Sequence, residues 1–490
     1  MNRIFPLLAA LLLSTYLTFS TTSAAYGEDA KAPHADAHAK QDGKHGQGEK
    51  LGDLVNPTAL APFALLLLCI ALFPLLNPHW WEHNQNKGYI AAGLGVPVVV
   101  YLLTIGHHGL EALEHAGKEY LSFLTLLGSL FVISGGVFVR GSLKGSPMVN
   151  TVFLALGATI ASFIGTTGAS MLLIRPLLRA NAKRNRVAHV VVFFIFIVSN
   201  CGGLLTPLGD PPLFLGFLKG VSFGWTLRLW PQWATVNGLL LVVFYIWDSI
   251  AIHREAHSPA EEAALETPAS PEKFGIDGLH NFMGLGGIVA VIFCSGQGLG
   301  NGGEPWPFGV QEGLMLAVSA VCYVLTTKEI REKNRFGFGP IIEVAVLFAG
   351  IFATMIPALA ILNVKGASLG INSPAQFFWA SGILSSFLDN APTYLTFAVT
   401  ACGIHGVNAE QGRYLEEFLK LPVAAPILAA ISCGSVFMGA NTYIGNGPNF
   451  MVKAIAEENN VRMPGFFGYM AYSGAILIPI FVIVTFLYFI

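Results

Sequence analysis

Charged residues are scarce in this chain. They make up 11% of its 490 residues, whereas 53% are hydrophobic. A soluble domain carries about 25% charged residues, so the composition excludes an ordinary soluble protein. Several apolar runs reach the roughly 20 residues that a membrane-spanning helix needs. The net charge of −2 gives no reason to expect nucleic-acid binding. We therefore predict a polytopic membrane protein.

Signatures of common enzymes and of ATP-driven transport are missing. The chain contains no GxxxxGK[ST] phosphate loop, no HExxH and no GxSxG. Residues 298–303 fit GxGxxG, but no βαβ unit surrounds them, so we do not interpret them as a nucleotide site. The six cysteines show no metal-ligand spacing and are interpreted as packing residues. We predict no metal site and no resident cofactor.

The N-terminus resembles a secretory signal. Residues 1–27 combine Arg3, the apolar run Phe5–Leu17 and a small-x-small end at Ala25–Gly27; the alternative is an uncleaved first span. Residues 28–56 form a polar, His-rich segment, which we interpret as a disordered extracytoplasmic tail rather than a loose metal site. We expect a location in a bacterial inner membrane.

A motif occurs twice in the chain. The first copy, SNCGGLLTPLGDPPLF, covers residues 199–214, and the second, SVFMGANTYIGNGPNF, covers residues 435–450. Glycine and proline interrupt an apolar stretch in each copy, which predicts two broken helices. Paired broken helices at corresponding places in two halves indicate the binding site of a secondary transporter. The corresponding pairs include Gly203 and Gly439, Thr206 and Thr442, Gly209 and Gly445, and Asp210 and Asn446.

Two further apolar runs are interrupted. Run 148–179 breaks at Gly165–Gly168 and run 374–402 breaks at Asp389–Pro392, and we expect each half to be too short to cross. Basic residues flank the first run at both ends, and positive residues collect on the cytoplasmic side. Both runs are therefore predicted to be re-entrant hairpins, with ten other segments crossing the membrane.

The predicted topology contains two related units. Each unit has a span, a hairpin, a broken helix and a span; the first starts outside and the second inside, as inverted repeats suited to alternating access. The fold class is an all-α polytopic membrane protein with two inverted repeats, each with a re-entrant helical hairpin and a broken transmembrane helix. The predicted order is signal peptide 1–27, tail 28–56, two spans 57–118, first repeat 119–250, cytoplasmic linker 251–280, two linking spans 281–336 and second repeat 337–490.

Small hydroxyl and amide side chains lie at every break. Their neutral oxygens, together with backbone carbonyls freed at mid-membrane, suit a hard cation such as Na⁺. We predict an ion or substrate site between the two hairpin tips and the two broken helices. The candidate ligands are Thr166, Thr167, Ser170, Ser199, Asn200, Thr206, Asn390, Thr393, Asn441, Thr442 and Asn446, with Asn449 beside them.

Three carboxylates are candidates for coupling ion movement to proton movement. Asp210 lies in the first broken helix, Asp389 at the second hairpin tip and Glu343 in the span at 339–361. An acidic residue at membrane depth is costly and is by default a functional candidate. The alternative for both aspartates is helix capping. For Glu343 it is pairing with the basic segment 328–335.

The segment GHHGLEALEHAGKE carries His107, Glu111 and His115 on one helical face. A metal site is one interpretation. We favour a solvated loop or surface helix outside the membrane, whose histidines could respond to pH.

These motifs resemble the ion transporter superfamily, which includes citrate and dicarboxylate transporters, arsenite permeases and NhaD-type sodium/proton antiporters. SNCGGLLTPLGDPP is similar to its first broken-helix motif and LDNAP to its second hairpin tip. Glu343 with the following VAVLFAGIF resembles the acidic helix before that hairpin in the antiporter and arsenite branches. The resemblance covers nearly all of 60–490 and implies two hairpins, a substrate site between them and a homodimer.

The residues at the two hairpin tips indicate the class of substrate. Dicarboxylate carriers of this superfamily show Ser-Asn-Thr at both tips, whereas this chain has Thr167–Ser170 and Asp389–Ala391. The acidic second tip favours a cation, so we predict a Na⁺/H⁺ antiporter in the lipid bilayer, with Na⁺ and H⁺ as its ligands. The alternative is a Na⁺- or H⁺-coupled carrier of citrate or another small anion. A membrane enzyme or a channel is the third possibility.

Overall fold

The computed structural model describes residues 51–81, 83–140, 144–255, 275–302, 304, 306–410 and 412–490. The predicted signal peptide, the tail up to residue 50, the middle of the linker and the last glycine of the GxGxxG run lie outside the described residues. In the described part of the chain, the only strands are β1 (Phe138–Arg140) and β2 (Gly275–Asp277), paired antiparallel. The remaining elements are helices, which confirms the all-α class.

The chain first forms helices that precede the first hairpin. The last of them runs from His107 to Ser134 and is 28 residues long. The segment from His107 to His115 is therefore the start of this helix rather than a separate surface helix. The expected boundary at 118/119 falls inside the same helix. The His107 and Glu111 side chains are exposed. These helices are α1 (Leu51–Leu54), α2 (Ala61–Leu76), α3 (Pro78–Trp81), α4 (Asn84–Thr104) and α5 (His107–Ser134).

The first unit continues with the hairpin, the broken helix and a long closing helix. Ser146 begins the hairpin as an N-cap, accepting the Val149 N–H at 3.4 Å, and a proline follows at the first helical position. The helices are α6 (Pro147–Ile164), α7 (Thr166–Ala180), α8 (Ala188–Ile197), α9 (Pro211–Leu218) and α10 (Trp230–Glu255).

Three helices connect the two units. The expected boundary at 250/251 falls inside α10 rather than at its end. The two linking helices have 17 and 16 residues, fewer than the 18 residues of the shortest candidate membrane spans. They are α11 (His280–Gly296), α12 (Val310–Leu325) and the short α13 (Lys328–Lys333).

The second unit repeats the order of the first. Its hairpin also begins with a capped helix, because Ser373 and Gln376 form a capping box. Between its hairpin and its broken helix it adds one short helix. The helices are α14 (Gly339–Lys365), α15 (Pro374–Ser385), α16 (Asn390–Ile404), α17 (Tyr414–Leu419), α18 (Ala424–Met438), α19 (Gly447–Glu458) and α20 (Phe466–Tyr488).

Nine helices of the described chain are long and apolar enough to cross a membrane. Eight coincide with predicted spans. The ninth is α6, an 18-residue hairpin arm. The expectation that each half of this run is too short to cross is therefore wrong for α6, because the break lies beyond its eighteenth residue.

The broken helices form the centre of the molecule. In the windows Ala188–Leu205 and Ala424–Asn441, 89% and 83% of the residues are buried, against 24% for Pro57–Pro74 at the periphery. Helix α8 is apolar on all sides, as expected of a helix with protein around it. This burial lets the breaks expose backbone groups to protein rather than to lipid, where each unpaired group costs several kcal/mol.

Candidate functional site

The two copies of the motif form breaks of the same construction. Helix α8 ends at Ile197 and α9 begins at Pro211, with a 3₁₀ turn between them; α18 ends at Met438 and α19 begins at Gly447, again after a 3₁₀ turn. The helix that follows each break has proline in its first turn, where the backbone N–H would have no partner within the helix. The two predicted broken helices are therefore present.

Glycine is required where each break folds back on itself. A Cβ atom on Gly209 would lie 2.0 Å from the Gly203 carbonyl oxygen, and one on Gly445 would lie 2.6 Å from the Gly439 carbonyl oxygen. No side chain fits at these distances. The glycines shared by the two copies thus serve the same close backbone contact.

In each break, one threonine bonds to the hairpin of its own unit. The Thr206 hydroxyl donates to the Ser162 carbonyl oxygen and accepts the N–H two residues on at 3.1 Å. The Thr442 hydroxyl donates to the Ser386 carbonyl oxygen at 2.5 Å and accepts the next two available N–H groups at 3.2 and 3.1 Å. Both hydroxyls therefore support the breaks, and their predicted role as ion ligands stays a prediction.

The hairpin tips place one polar residue each at the start of the second arm. At the first tip Gly165 has a φ of +82°, a left-handed conformation that glycine adopts readily. Thr166 then begins α7 four residues after Ser162, and Asn390 begins α16 four residues after Ser386. Thr166 and Asn390 therefore occupy corresponding positions in the two hairpins.

Asp210 lies where these four elements meet, and its side chain is buried with 1% exposure. Its Oδ1 atom accepts the Thr166 hydroxyl at 2.8 Å and the Asn446 amide at 3.4 Å, and its Oδ2 atom accepts the Asn390 amide at 2.5 Å. One carboxylate thus receives hydrogen bonds from both hairpin tips and from its counterpart in the second break.

A buried amide network extends from this carboxylate. The Asn446 amide also donates to Asn200 Oδ1 at 3.2 Å and to the Ser199 carbonyl oxygen at 3.1 Å. Asn200 in turn donates to Asn449 Oδ1 at 2.7 Å. The Ser199 hydroxyl lies 2.7 Å from that of Ser170. These five predicted residues, including Ser170 on the first hairpin, are therefore joined with Asp210, Thr166 and Asn390 in one network across the two breaks.

Four helices begin at this point. Thr166 and Asn390 are the first residues of α7 and α16, and Asp210 and Asn446 are the N-caps of α9 and α19. The N-terminus of a helix carries a partial positive charge. Four such ends therefore lie at residues that bond to the Asp210 carboxylate or carry it, and they favour negative charge there.

Some buried oxygens near the breaks are not used by the fold. Within the described residues, Asn390 Oδ1, Asn441 Oδ1 and Ser435 Oγ have no hydrogen-bond partner. The Asn441 amide nitrogen, by contrast, donates to Ser386 Oγ at 2.9 Å. Unpaired buried oxygens are acceptors that a cation could coordinate.

Asp389 is placed differently from Asp210. It is half-buried, and its Oδ1 accepts the Ala391 N–H at 3.1 Å as the N-cap of α16. Asp210 makes no such side-chain cap. The Thr393 hydroxyl donates to the Asp389 carbonyl oxygen at 2.9 Å, as one helical turn allows, and Thr167 is half-buried beside Thr166. Helix capping, the alternative interpretation, therefore describes Asp389 but not Asp210.

Glu343 lies away from this site. Its carboxylate pairs with Lys87 of α4 at 2.7 Å, and its side chain is 42% exposed. The sequence interpretation offered the basic segment 328–335 as the alternative partner of Glu343. The observed partner comes from an N-terminal helix instead. Because α4 and α14 pack against each other, the pair joins these two helices.

One buried cluster has no counterpart in the sequence interpretation. Asp248, near the end of α10, accepts Arg184 at 2.6 Å, His189 at 2.8 Å and Asn150 at 3.0 Å. The Asn150 side chain also bonds to that of Asn181, which follows α7. The cluster fixes both ends of the first hairpin to α8 and α10. The one indication of this cluster in the sequence was Asp248, an aspartate inside an apolar run.

These features define a class of protein: a multi-pass membrane transporter with two broken helices and two helical hairpins around one polar centre. Residues 53–489 match the model of a family described as putative citrate transport. The chain belongs to this family, within the citrate and arsenite permease-like ion transporter superfamily. The comparison with curated proteins found no match.

Proposed function

We propose that the protein is a secondary active transporter that exchanges Na⁺ for H⁺ by alternating access, with Asp210 as the shared binding group. The observation that carries this proposal is the convergence of Thr166, Asn390 and Asn446 on the Asp210 carboxylate. A group that contacts both hairpins and both breaks can respond to movement of any of them. We further propose a bacterial inner membrane location, an extracytoplasmic N-terminal tail and a homodimer.

The charges at the centre favour a cation. No lysine, arginine or histidine of the described chain donates a hydrogen bond to Asp210, whose hydrogen-bond partners are a hydroxyl and two amides. Burying an ionised carboxylate is expensive unless its charge is compensated. Four helix N-termini compensate it in part, and a bound proton or Na⁺ completes the compensation.

Competition between these two ions would couple their movements. A protonated Asp210 offers one acceptor oxygen fewer, whereas an ionised Asp210 offers both oxygens to Na⁺. The unpaired Oδ1 of Asn390 lies on the residue that already contacts Asp210 and supplies a neutral ligand. Because one carboxylate cannot hold both ions, release of one accompanies binding of the other.

A coupled carrier of citrate or another small carboxylate is the second candidate. Two observations favour it: the description of the family and the four helix N-termini at the centre, which are suited to anions. In this case Asp210 would bind the coupling cation, because a substrate carboxylate directly beside it would be repelled.

Transport by purified protein in liposomes separates the candidates. A Na⁺ pulse without any organic anion should move protons, as recorded by a pH-sensitive dye inside the vesicles. Uptake of labelled citrate that requires Na⁺ or a proton gradient, without Na⁺-driven proton movement in its absence, would establish the second candidate instead. Turnover of a substrate without any gradient would indicate an enzyme.

A further inference from the structure

A polar cavity opens at a place that shares no lining residue with the Asp210 site. It has a volume of about 370 Å³ and is lined by residues from the start of α8, the end of α10 and the segment around α20. Trp247 and Tyr472 form part of its wall, with stacked rings 5.6 Å apart. The charge asymmetry of the sequence predicts these helix ends on the cytoplasmic side.

Three arginines from three parts of the fold line this cavity: Arg186 before α8, Arg254 at the end of α10 and Arg462 between α19 and α20. All three are exposed. Within the described residues, none of them forms a hydrogen bond or an ion pair. Three guanidinium groups around one cavity repel one another, so a bound anion would stabilise the arrangement.

Among the described residues, the carboxylates close to these arginines in sequence have other partners. Asp248 accepts hydrogen bonds from the Arg184 guanidinium and the His189 ring instead. The two acids that precede Arg462, Glu457 and Glu458, pair with Lys453 and Arg335. Glu255 accepts the backbone N–H of the lining residue Asn185. In the described part of the chain, three arginines therefore stand against Glu255, the one of these four carboxylates that has no cationic partner.

We propose that this cavity binds the phosphate of an anionic phospholipid headgroup. Guanidinium groups bind phosphate oxygens in pairs, and a cavity above about 300 Å³ is large enough for a small ligand. Helix α10 presents Ile246 and Ile250 beside it, 53% and 47% exposed, which would contact the acyl chains. Basic pockets between helices on the cytoplasmic side recognise such headgroups.

The bound headgroup would bridge the two units. Arg254 belongs to the closing helix of the first unit and Arg462 to the loop before the closing helix of the second. His189 also lines the cavity and bonds to Asp248, which holds the first hairpin through Asn150. The lipid would thus contact the support of that hairpin without entering the ion site.

The test compares the wild type with the variant Arg254→Gln/Arg462→Gln in micelles that contain phosphatidylglycerol or phosphatidylcholine. Native mass spectrometry counts the retained lipids. Each arginine near an anionic surface contributes about a fivefold factor in affinity, so phosphatidylglycerol should bind the variant, which lacks two of them, about twenty-fivefold more weakly. The matched control Lys328→Gln/Lys333→Gln removes two exposed cations from the same predicted side and should bind like the wild type.

Two results would overturn the proposal. One is equal retention of the two lipids by the wild type, a comparison that needs no variant and so holds even if the double variant does not fold. The other is displacement of the lipid by inorganic phosphate together with saturable phosphate binding, which would assign the cavity to a soluble phosphate. Failure of Na⁺/H⁺ exchange in liposomes would leave this lipid measurement unaffected.

Discussion

The sharpest prediction concerns Asp210→Asn. The substitution preserves size and removes the charge. An asparagine oxygen can still accept the Asn390 amide, and its nitrogen can donate to the Thr166 hydroxyl, which now acts as acceptor. The Asn446 amide, which donates to the same atom at 3.4 Å, loses its acceptor. The loss to folding is therefore this long hydrogen bond and the difference between charge-assisted and neutral hydrogen bonds, less the cost of burying a charge. We expect the free energy of unfolding to change by less than about 2 kcal/mol.

The effect on transport should be much larger. An interaction with a charged group contributes about 1.5–3 kcal/mol, which corresponds to roughly 10- to 150-fold in Na⁺ affinity. Proton exchange should be lost altogether, because an amide does not titrate in this range. The variant should therefore fold, bind Na⁺ weakly and fail to couple Na⁺ to protons.

The assay is a Na⁺ pulse on proteoliposomes that enclose a pH-sensitive dye, repeated over a pH series. Asp53→Asn is the matched control, since Asp53 is an exposed aspartate on α1 and its substitution should leave flux unchanged. Asp389→Asn is measured beside it. Wild-type Na⁺ dependence and proton flux in Asp210→Asn would refute the reasoning; loss of flux in Asp389→Asn alone would transfer the role to the second tip.

Three further predictions follow from the breaks and the topology. Gly209→Ala should destabilise the protein by about 3 kcal/mol or more because its Cβ would meet a carbonyl oxygen at 2.0 Å, whereas Gly224→Ala, with nothing within 4 Å, should not; equal melting temperatures would contradict this contact. Thr442→Val removes three hydrogen bonds and should lower the melting temperature while leaving the Na⁺ affinity nearly unchanged; thermal unfolding and Na⁺ titration measure the two quantities. Cysteines introduced in 180–186 should react only from the cytoplasm and those in 404–420 only from outside, and reaction of both from one side would exclude inverted repeats.

Much of the fold could be predicted because its signals are local. Long apolar runs define membrane helices, and glycine and proline mark where they stop. Helix lengths were less predictable: the chain continues from His107 to Ser134 without interruption, although its first turns are polar. Nothing in a helical periodicity requires the helix to end where the lipid does, so a boundary based on hydropathy falls inside this helix.

The candidate site was predictable as a set of residues but not as an arrangement. Polar side chains at four breaks indicated one shared centre, and the structure joins eight of them, Asp210 included, in one network. The partner of Glu343 could not be read from the sequence, because Lys87 lies on a helix whose packing against α14 depends on the whole bundle. The Asp248 cluster was missed for the same reason.

The sequence by itself determined the membrane class, the two breaks, the two hairpins and the polar residues at each, since these depend on composition and on neighbours along the chain. Only the tertiary structure decided which carboxylate occupies the centre. Asp210 and Asp389 both stand at interrupted helices, yet Asp389 caps its own helix while Asp210 meets Asn390, 180 residues away. Contacts of that range are set by how the two units pack against each other, and no local pattern specifies them.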